Sequence, residues 1–141
     1  MHTFLVQAKQ NTYASGTHGN TLEDGAIELV YREGKYRYRD RYYGEDPFCG
    51  QEIVFLDDVP VWIMNYYGHN LDKSIKISTF LKESLRLVSK EAPFRGPAQH
   101  KNDTWLYTNQ WEGDSNCFNG YETIHYQGKK VYELWYHGGI I

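Results

Sequence analysis

The chain contains little cysteine, little proline and no long apolar segment. Only two of its 141 residues are cysteine and four are proline. Two cysteines are too few for a disulfide scaffold, so a reducing cytoplasm is the expected compartment. No apolar run approaches the roughly 20 residues that span a bilayer, and the N-terminal residues do not resemble a secretory signal. Because the net charge is −3, there is no overall basic field to attract nucleic acid. We therefore expect a cytoplasmic protein that contacts neither membranes nor nucleic acid directly.

Aromatic residues, in contrast, are abundant. Tyr, Phe and Trp make up 16% of the chain, and 13 of these residues are Tyr. Aromatic and β-branched side chains suit the half-buried surface of a pleated sheet, so the composition predicts a strand-rich protein. A chain of 141 residues has the length of a single domain, residues 1–141, which can bury a core without a metal or a disulfide.

Two segments show helical periodicity, and most of the remainder shows strand and turn patterns. Residues 3–13 carry apolar side chains on one face with Lys9 opposite, and residues 77–88 carry a longer apolar stripe. Residues 93–103, with two prolines, are typical of a loop. Strands are predicted at residues 26–31, 35–43, 52–56, 61–67, 105–111, 121–126 and 131–137.

The second part of the sequence resembles the first. Phe48–Gly68 aligns with Phe118–Gly138 at a constant offset of 70 residues. The identical pairs are Phe48/Phe118, Gly50/Gly120, Glu52/Glu122, Val61/Val131, Tyr66/Tyr136 and Gly68/Gly138. Such self-similarity indicates an internal duplication, with repeats at about residues 3–68 and 79–138. The alternative is that aromatic-rich hairpins resemble one another in any case.

A duplication of this kind predicts the fold class. Each repeat would contribute one helix followed by antiparallel strands, which is an α+β arrangement. We expect one antiparallel β-sheet built from two halves related by a pseudo-two-fold axis. Both helices would then cover one face of the sheet and leave the other face partly open.

The strand predicted at residues 35–43 separates its basic residues from its aromatic residues. Period-2 alternation places Arg37, Arg39 and Arg41 on one face and Asp40 with tyrosines on the other. The two classes therefore cannot hold one nucleic acid together, and a solvated arginine face that discourages edge pairing is favoured. Asp40 is a carboxylate on an aromatic face, where we expect a tyrosine hydroxyl to satisfy it.

Glu52 and Glu122 occupy equivalent positions in two Phe-x-Gly-x-Glu units. Each shares its strand face with an aliphatic residue, and a carboxylate there needs a partner or has a raised pKa. Facing each other across a central cleft, the two would recognise a cationic or hydrogen-bonding ligand or act as an acid/base pair. The alternative is that each glutamate closes its own turn by accepting backbone N–H groups.

The repeats differ at positions where a binding site is expected. Asn65 in the first repeat corresponds to Trp135 in the second, and Tyr67 corresponds to His137. Trp135 and His137 would supply an aromatic wall and a polar group, although such residues on a last strand are often ordinary surface. The predicted ligand-binding residues are Asp40, Glu52, Asn65, Tyr67, Glu122, Trp135 and His137. We expect Glu52, Glu122 and Trp135 to line one cleft that binds a small planar or cationic compound.

Known catalytic and cofactor motifs are absent from the sequence. The six histidines and two cysteines lack the spacing of metal ligands, and no nucleotide-binding glycine loop or nucleophile elbow occurs. We therefore assign no catalytic residue, no metal ligand and no cofactor from the sequence.

Several strings resemble an uncharacterised bacterial domain family that is found alone or behind a Cro/C1-type (Xre) helix-turn-helix. They are Ala8–Ala14, Phe48–Glu52, Pro60–Gly68, Phe94–Pro97 and Tyr136–Gly139. The resemblance implies a sensing role beside a DNA-binding head and brings no established activity. A weaker analogy connects the duplicated architecture with gyrase-inhibitor-like effector-binding domains, although this chain begins with a helix and not with a strand.

These observations favour a non-enzymatic small-molecule-binding or regulatory module with an aromatic-lined cleft. One alternative is a small hydrolase-type enzyme that uses the paired carboxylates. Another is a protein-interaction module with an exposed aromatic sheet face, whose partner is a helix-turn-helix regulator or a second copy of the chain.

Overall fold

Strands dominate the fold, as the aromatic content predicts. The computed structural model describes residues 1–141. Its helices are α1 (His2–Asn11) and α2 (Ser78–Leu85), and Tyr13–Ser15 form a short 3-10 turn. Its strands are β1 (Asn20–Thr21), β2 (Ile27–Glu33), β3 (Tyr36–Gly44), β4 (Phe48–Leu56), β5 (Val59–Asn70), β6 (Gln99–Asn102), β7 (Trp105–Asp114), β8 (Cys117–Tyr126) and β9 (Lys129–Ile140).

All nine strands belong to one antiparallel sheet. Their order is β1-β2-β3-β4-β5-β9-β8-β7-β6, so each half of the chain forms one side of the sheet. The two sides meet where β5 pairs with β9. The expected α+β class with an antiparallel sheet is confirmed. Neither helix is long and apolar enough to cross a membrane.

A pseudo-two-fold axis passes through the middle of the sheet. Tyr66 pairs with Tyr136 across β5 and β9, and the same two residues are equivalent in the repeat. Gly50 pairs with Tyr66 in the first repeat, as Gly120 pairs with Tyr136 in the second. A Cβ atom on either glycine would overlap the ring or hydroxyl of the facing tyrosine. The strand register therefore has the symmetry that a duplication predicts.

The helices follow the same symmetry. Phe4 of α1 packs on Tyr31 with ring centroids 5.8 Å apart, and Phe80 of α2 packs on His100 at 5.5 Å. Tyr31 and His100 pair with Tyr38 and Tyr107, which are equivalent residues of β3 and β7. Both helices therefore cover the same face of the sheet, here called the helix face. The core lies between this face and the helices and contains Leu5, Trp62, Met64, Leu81, Ile124 and Leu134.

The other side of the sheet, here called the open face, carries no helix. Arg37, Arg39 and Arg41 lie on it, as the alternation predicts. They are less solvated than we expected, because the Arg37 guanidinium lies 3.6 Å from the ring centroid of Phe55. The guanidinium makes a cation–π contact with this ring and donates to Oδ1 of Asp58, so the Arg37 side chain covers the apolar ring.

Some boundaries differ from the sequence predictions. β6 lies within the expected loop of residues 93–103, because a short polar edge strand has no hydrophobic alternation. β4 and β8 begin four residues earlier than predicted, because Gly50 and Gly120 lie within the strands, where they make room for tyrosine rings. The idea that Glu52 and Glu122 close turns is therefore wrong, since both lie inside strands.

Candidate functional site

The seven predicted site residues divide between the two faces of the sheet. Asp40, Glu52 and Glu122 are buried on the helix face. The other four, Asn65, Tyr67, Trp135 and His137, lie on the open face as the cross-strand pairs Asn65/His137 and Tyr67/Trp135. Side chains alternate along β5 and β9, so neighbours of the buried Tyr66 and Tyr136 point away from the core. The prediction that Trp135 lines one cleft with Glu52 and Glu122 is therefore wrong.

Glu52 and Glu122 also lie far from each other. Glu52 belongs to β4 and Glu122 to β8, with β5 and β9 between them. Three steps of about 4.8 Å separate these strands by roughly 14 Å. The two carboxylates therefore do not face each other across a cleft, which corrects the second part of that prediction.

Glu122 is held entirely by protein groups. Arg95 donates from Nε to Oε2 at 3.0 Å and from Nη2 to Oε1 at 2.8 Å. The hydroxyl of Tyr132 donates to Oε1 at 2.9 Å, and the hydroxyl of Tyr107 donates to Oε2. Burial lowers the pKa of Arg95, but the Glu122 carboxylate outweighs this and raises the pKa above its usual value. Both carboxylate oxygens are occupied, so Glu122 stabilises the fold and offers no free oxygen to a ligand.

Glu52 pairs with Lys9, which is buried on the core side of α1 and not opposite the apolar face as predicted. Lys9 of α1 is buried and donates from Nζ to Oε2 of Glu52 and, at 2.6 Å, to the backbone carbonyl of Phe94. Burial lowers the pKa of Lys9, and the charge of Glu52 opposes that effect. Position 9 follows the buried Leu5 by one helical turn, and this spacing was the signal in the sequence.

Asp40 lies where the alternation predicts and has a less complete set of partners. Its exposed fraction is 5%, and Oδ1 accepts a 2.7 Å hydrogen bond from the hydroxyl of Tyr66. No protein donor reaches Oδ2. Asp40 pairs directly with Glu52 across β3 and β4. Burial, followed by the charge of Glu52, raises the pKa of Asp40 to about 7. The adjacent carboxyl groups of this protein are therefore Asp40 and Glu52, and not Glu52 and Glu122.

A cavity of about 390 Å³ lies beside this carboxyl pair. Its floor is the helix face of β3, β4 and β5, and its walls are α1, α2 and the segments that join them to the sheet. The charged groups Lys9, Asp40, Glu52 and Arg95 line its inner part. The aromatic residues that line it are Tyr13, Tyr38, Tyr42, Phe48, Tyr66 and Phe94. Glu122 and the four open-face residues do not line it.

The second repeat fills the equivalent space with its own chain. Asn109 takes the place of Asp40, and its Oδ1 accepts a 2.8 Å hydrogen bond from the hydroxyl of Tyr136. Its Nδ2 donates to the carbonyl of Gly96 at 2.9 Å, and the Gly96 N–H donates to the hydroxyl of Tyr107. A Cβ atom on Gly96 would overlap the Tyr107 ring. The loop around Gly96 therefore closes the second site, whereas the first remains open.

The open face carries a different feature, an aromatic row formed by Tyr43, Tyr67, Trp135 and Tyr121. These residues occupy one register line across β3, β5, β9 and β8. Trp135 is 46% exposed and Tyr67 48%. Tyr121 packs beside Trp135 with ring centroids 5.4 Å apart. Cys49 of β4 lies between Tyr43 and Tyr67 on this line, and the most exposed aromatic side chains of the row are Tyr67 and Trp135.

Residues 40–141 match the family described as domain of unknown function DUF5680. The chain belongs to the DUF5680 family. No curated protein matches the chain. No solved structure matches it either. The matched part of this DUF5680 protein includes Asp40, Glu52 and Arg95, whereas Lys9 lies outside it. No group of three His, Cys, Asp or Glu side chains is arranged to hold a metal ion.

Proposed function

We propose that this DUF5680 protein is a non-enzymatic small-molecule-binding module whose ligand occupies the cavity of the first repeat. The observation that carries the proposal is the difference between the two repeats. The second repeat fills its site with the loop around Gly96, whereas the first keeps about 390 Å³ of open space beside buried charges. A cavity lined by buried charged groups lowers the stability of the fold, and the second repeat shows that the chain can fill such a space. We therefore infer that the cavity of the first repeat is kept open to bind a ligand.

The size and lining of the cavity suit a small organic compound. Ligand sites usually measure roughly 300–1,000 Å³ and combine apolar walls with a few convergent polar groups. Here Tyr42, Phe48 and Leu81 supply apolar surface, while Asp40 and Lys9 supply the polar groups. A buried carboxyl group with a raised pKa in such a cavity is also typical of a functional site.

The regulatory part of the proposal depends on resemblance. Domains similar to this chain occur behind Cro/C1-type helix-turn-helix heads in bacteria, and a cytoplasmic effector-sensing role follows from that context. The analogy with gyrase-inhibitor-like effector-binding domains extends to a duplicated sheet with a glutamate beside a cleft. The proposed partners are a small-molecule ligand and, through it, a helix-turn-helix regulator or a second copy of the chain.

A paired substitution at the cavity mouth tests the binding proposal. Ser78 lines the cavity and its neighbour Thr79 does not, although both are exposed in the first turn of α2. We expect a metabolite panel to contain compounds that raise the melting temperature of the wild-type protein. Ser78→Trp should abolish that rise because the indole narrows the entrance, and Thr79→Trp should preserve it. A panel without any stabilising compound, or equal responses from both variants, would contradict the proposed function.

An enzymatic role is a second candidate, favoured by the adjacent carboxyl groups of Asp40 and Glu52. A carboxyl group with a pKa of about 7 can exchange protons near neutral pH, as general acid/base catalysis requires. The distinguishing measurement is turnover of a stabilising compound. Product formation that disappears in Asp40→Asn would favour the enzyme, whereas unchanged compound recovered from the complex would favour the binding module.

A protein-interaction role is favoured by the aromatic row, since exposed Tyr and Trp are enriched at protein interfaces. In that case the binding surface would be Tyr67 and Trp135 on the open face. Light scattering should then show a dimer that dissociates when Trp135 is changed to Ser, whereas a monomeric wild-type protein would remove the support for self-association.

A further inference from the structure

The buried charges on the helix face do not balance. Five charged side chains lie close together there, and four of them form two ion pairs, Lys9 with Glu52 and Arg95 with Glu122. Each of the five is less than a tenth exposed. Asp40 is the remaining member and has no cationic partner. When Asp40 is ionised, the cluster therefore carries one uncompensated negative charge.

The groups around Asp40 are already engaged elsewhere. On its own strand it is flanked by the neutral Tyr38 and Tyr42, and across the sheet it faces Glu52. Lys9 from α1 donates to Glu52 and to a backbone carbonyl. Arg95 from the loop after α2 holds both oxygens of its own carboxylate.

Tyr66 from β5 is the one protein donor that contacts Asp40. Burial raises the pKa of Tyr66 well above its usual value, so its hydroxyl remains protonated and donates. A single neutral hydroxyl does not compensate a buried carboxylate. The Oδ2 atom accepts no hydrogen bond from the protein and no cation pairs with it, although the charges of Lys9 and Arg95 act on Asp40 from a distance. The other lysines that line the cavity, Lys73 and Lys76, are exposed to solvent.

The fold itself does not need an acid at this position. In the second repeat the neutral Asn109 accepts the equivalent hydrogen bond from Tyr136, at 2.8 Å compared with 2.7 Å for Tyr66 and Asp40. An amide therefore satisfies the same structural role. Of these two equivalent positions, only the one beside the open cavity carries an acid. We therefore connect the charge of Asp40 with the molecule that occupies the cavity.

We propose that the ligand of this cavity carries a protonated amine or amidine and that Asp40 binds this group, an inference that rests on the proposed function. The cation would complete the charge balance of the cluster by contacting Oδ2. Tyr42 and Phe48 line the same cavity and provide ring faces for the cation and for an apolar or aromatic body attached to it. The expected ligand class is thus a small amine with an apolar or aromatic body.

The ionisation of Asp40 supports the proposal and provides an independent measurement. Because burial and Glu52 raise its pKa to about 7, Asp40 is mostly protonated at pH 6 and mostly ionised at pH 8. An amine that needs the carboxylate should therefore bind on the order of tenfold more tightly at pH 8 than at pH 6. A neutral compound of the same shape should lack this dependence.

Three probes of similar shape and different charge test the proposal on the full chain. They are 2-phenylethylamine, 2-phenylethanol and 3-phenylpropionate, with dissociation constants measured by calorimetry or NMR titration. We expect the amine to bind at least tenfold more tightly than the alcohol at pH 8, and the propionate to bind most weakly. Asp40→Asn should remove the preference for the amine, and Glu45→Gln, which removes an acid at the exposed rim of the cavity, should preserve it.

The outcomes separate this proposal from the proposed function. Equal binding of amine and alcohol, or tighter binding of the propionate, would overturn the amine proposal while leaving ligand binding in the cavity supported. Absence of binding by all three probes would also overturn it, and the metabolite panel with Ser78→Trp would still decide the proposed function. If Asp40→Asn does not fold, the pH profile of the wild-type protein decides, since a flat profile for the amine contradicts the role of Asp40.

Discussion

Replacing Glu122 by Gln distinguishes a structural glutamate from a ligand-binding one. The sequence alone predicts that this change weakens ligand binding and leaves the fold intact. The structure predicts the opposite, because Glu122 is fully buried and holds Arg95 through two hydrogen bonds. An amide can accept from one side of the guanidinium but cannot neutralise it.

The expected loss of stability follows from leaving Arg95 buried without its partner. Removing one member of a buried ion pair costs about 3–5 kcal/mol, and the Tyr107 and Tyr132 hydroxyls that also donate to Glu122 lose a charged acceptor. For a chain of this length the loss corresponds to a decrease in melting temperature of roughly 10–17 °C. A compound that raises the melting temperature of the wild-type protein should still raise that of the variant, since Glu122 does not line the cavity.

Differential scanning calorimetry and urea denaturation measure this effect, with Glu28→Gln as the matched control. Glu28 pairs with Arg41 on the partly exposed edge of the sheet, where an ion pair contributes about 0–1 kcal/mol. A Glu122→Gln protein that melts within about 2 °C of the wild type and no longer responds to ligand would refute this reasoning. It would restore Glu122 as a binding residue.

Three further predictions concern Asp40, Gly50 and Trp135. Because the pKa of Asp40 is raised in the folded protein to about 7, the stability that it contributes is complete only below the ordinary aspartate pKa of about 4 and is lost as pH rises through 7; urea denaturation from pH 5 to 8 should show a decline that Asp40→Asn reduces. Gly50→Ala should destabilise the protein by about 1–3 kcal/mol, because its Cβ would overlap the Tyr66 ring; chemical denaturation that shows no change would contradict the packing. Trp135→Ser should change stability by less than about 1 kcal/mol and leave ligand-induced shifts unaltered, since Trp135 is exposed on the open face; a lost ligand shift would return Trp135 to the site.

Much of the fold can be read from local patterns. Alternation along β3 places Asp40 opposite the arginines, and the structure agrees. The fixed offset between the repeats predicts the shared register of Gly50 with Tyr66 and Gly120 with Tyr136, and the structure has it. These predictions succeed because side-chain period and pairing register are properties of neighbouring residues along one or two strands.

The candidate site, in contrast, depends on contacts between distant segments. Lys9 reaches Glu52 from 43 positions away, and Arg95 reaches Glu122 from 27. Helical spacing places Lys9 on the buried face of α1, but no local pattern indicates that its partner is Glu52 or that Arg95 contacts Glu122. The two glutamates are equivalent in sequence, yet only the packing of a helix against one and a loop against the other determines their partners.

The sequence by itself determined the sheet, the duplication and the side of each strand that faces the core. Only the tertiary structure decided that the adjacent carboxyl groups are Asp40 and Glu52 and that one repeat is open while the other is closed. The physical reason is that a duplicated pattern specifies two similar sites, whereas the loop around Gly96 can fill only one of them. In the second repeat this loop packs against the sheet, and its Arg95 holds the buried Glu122. In the first repeat a cavity lined by charged groups remains.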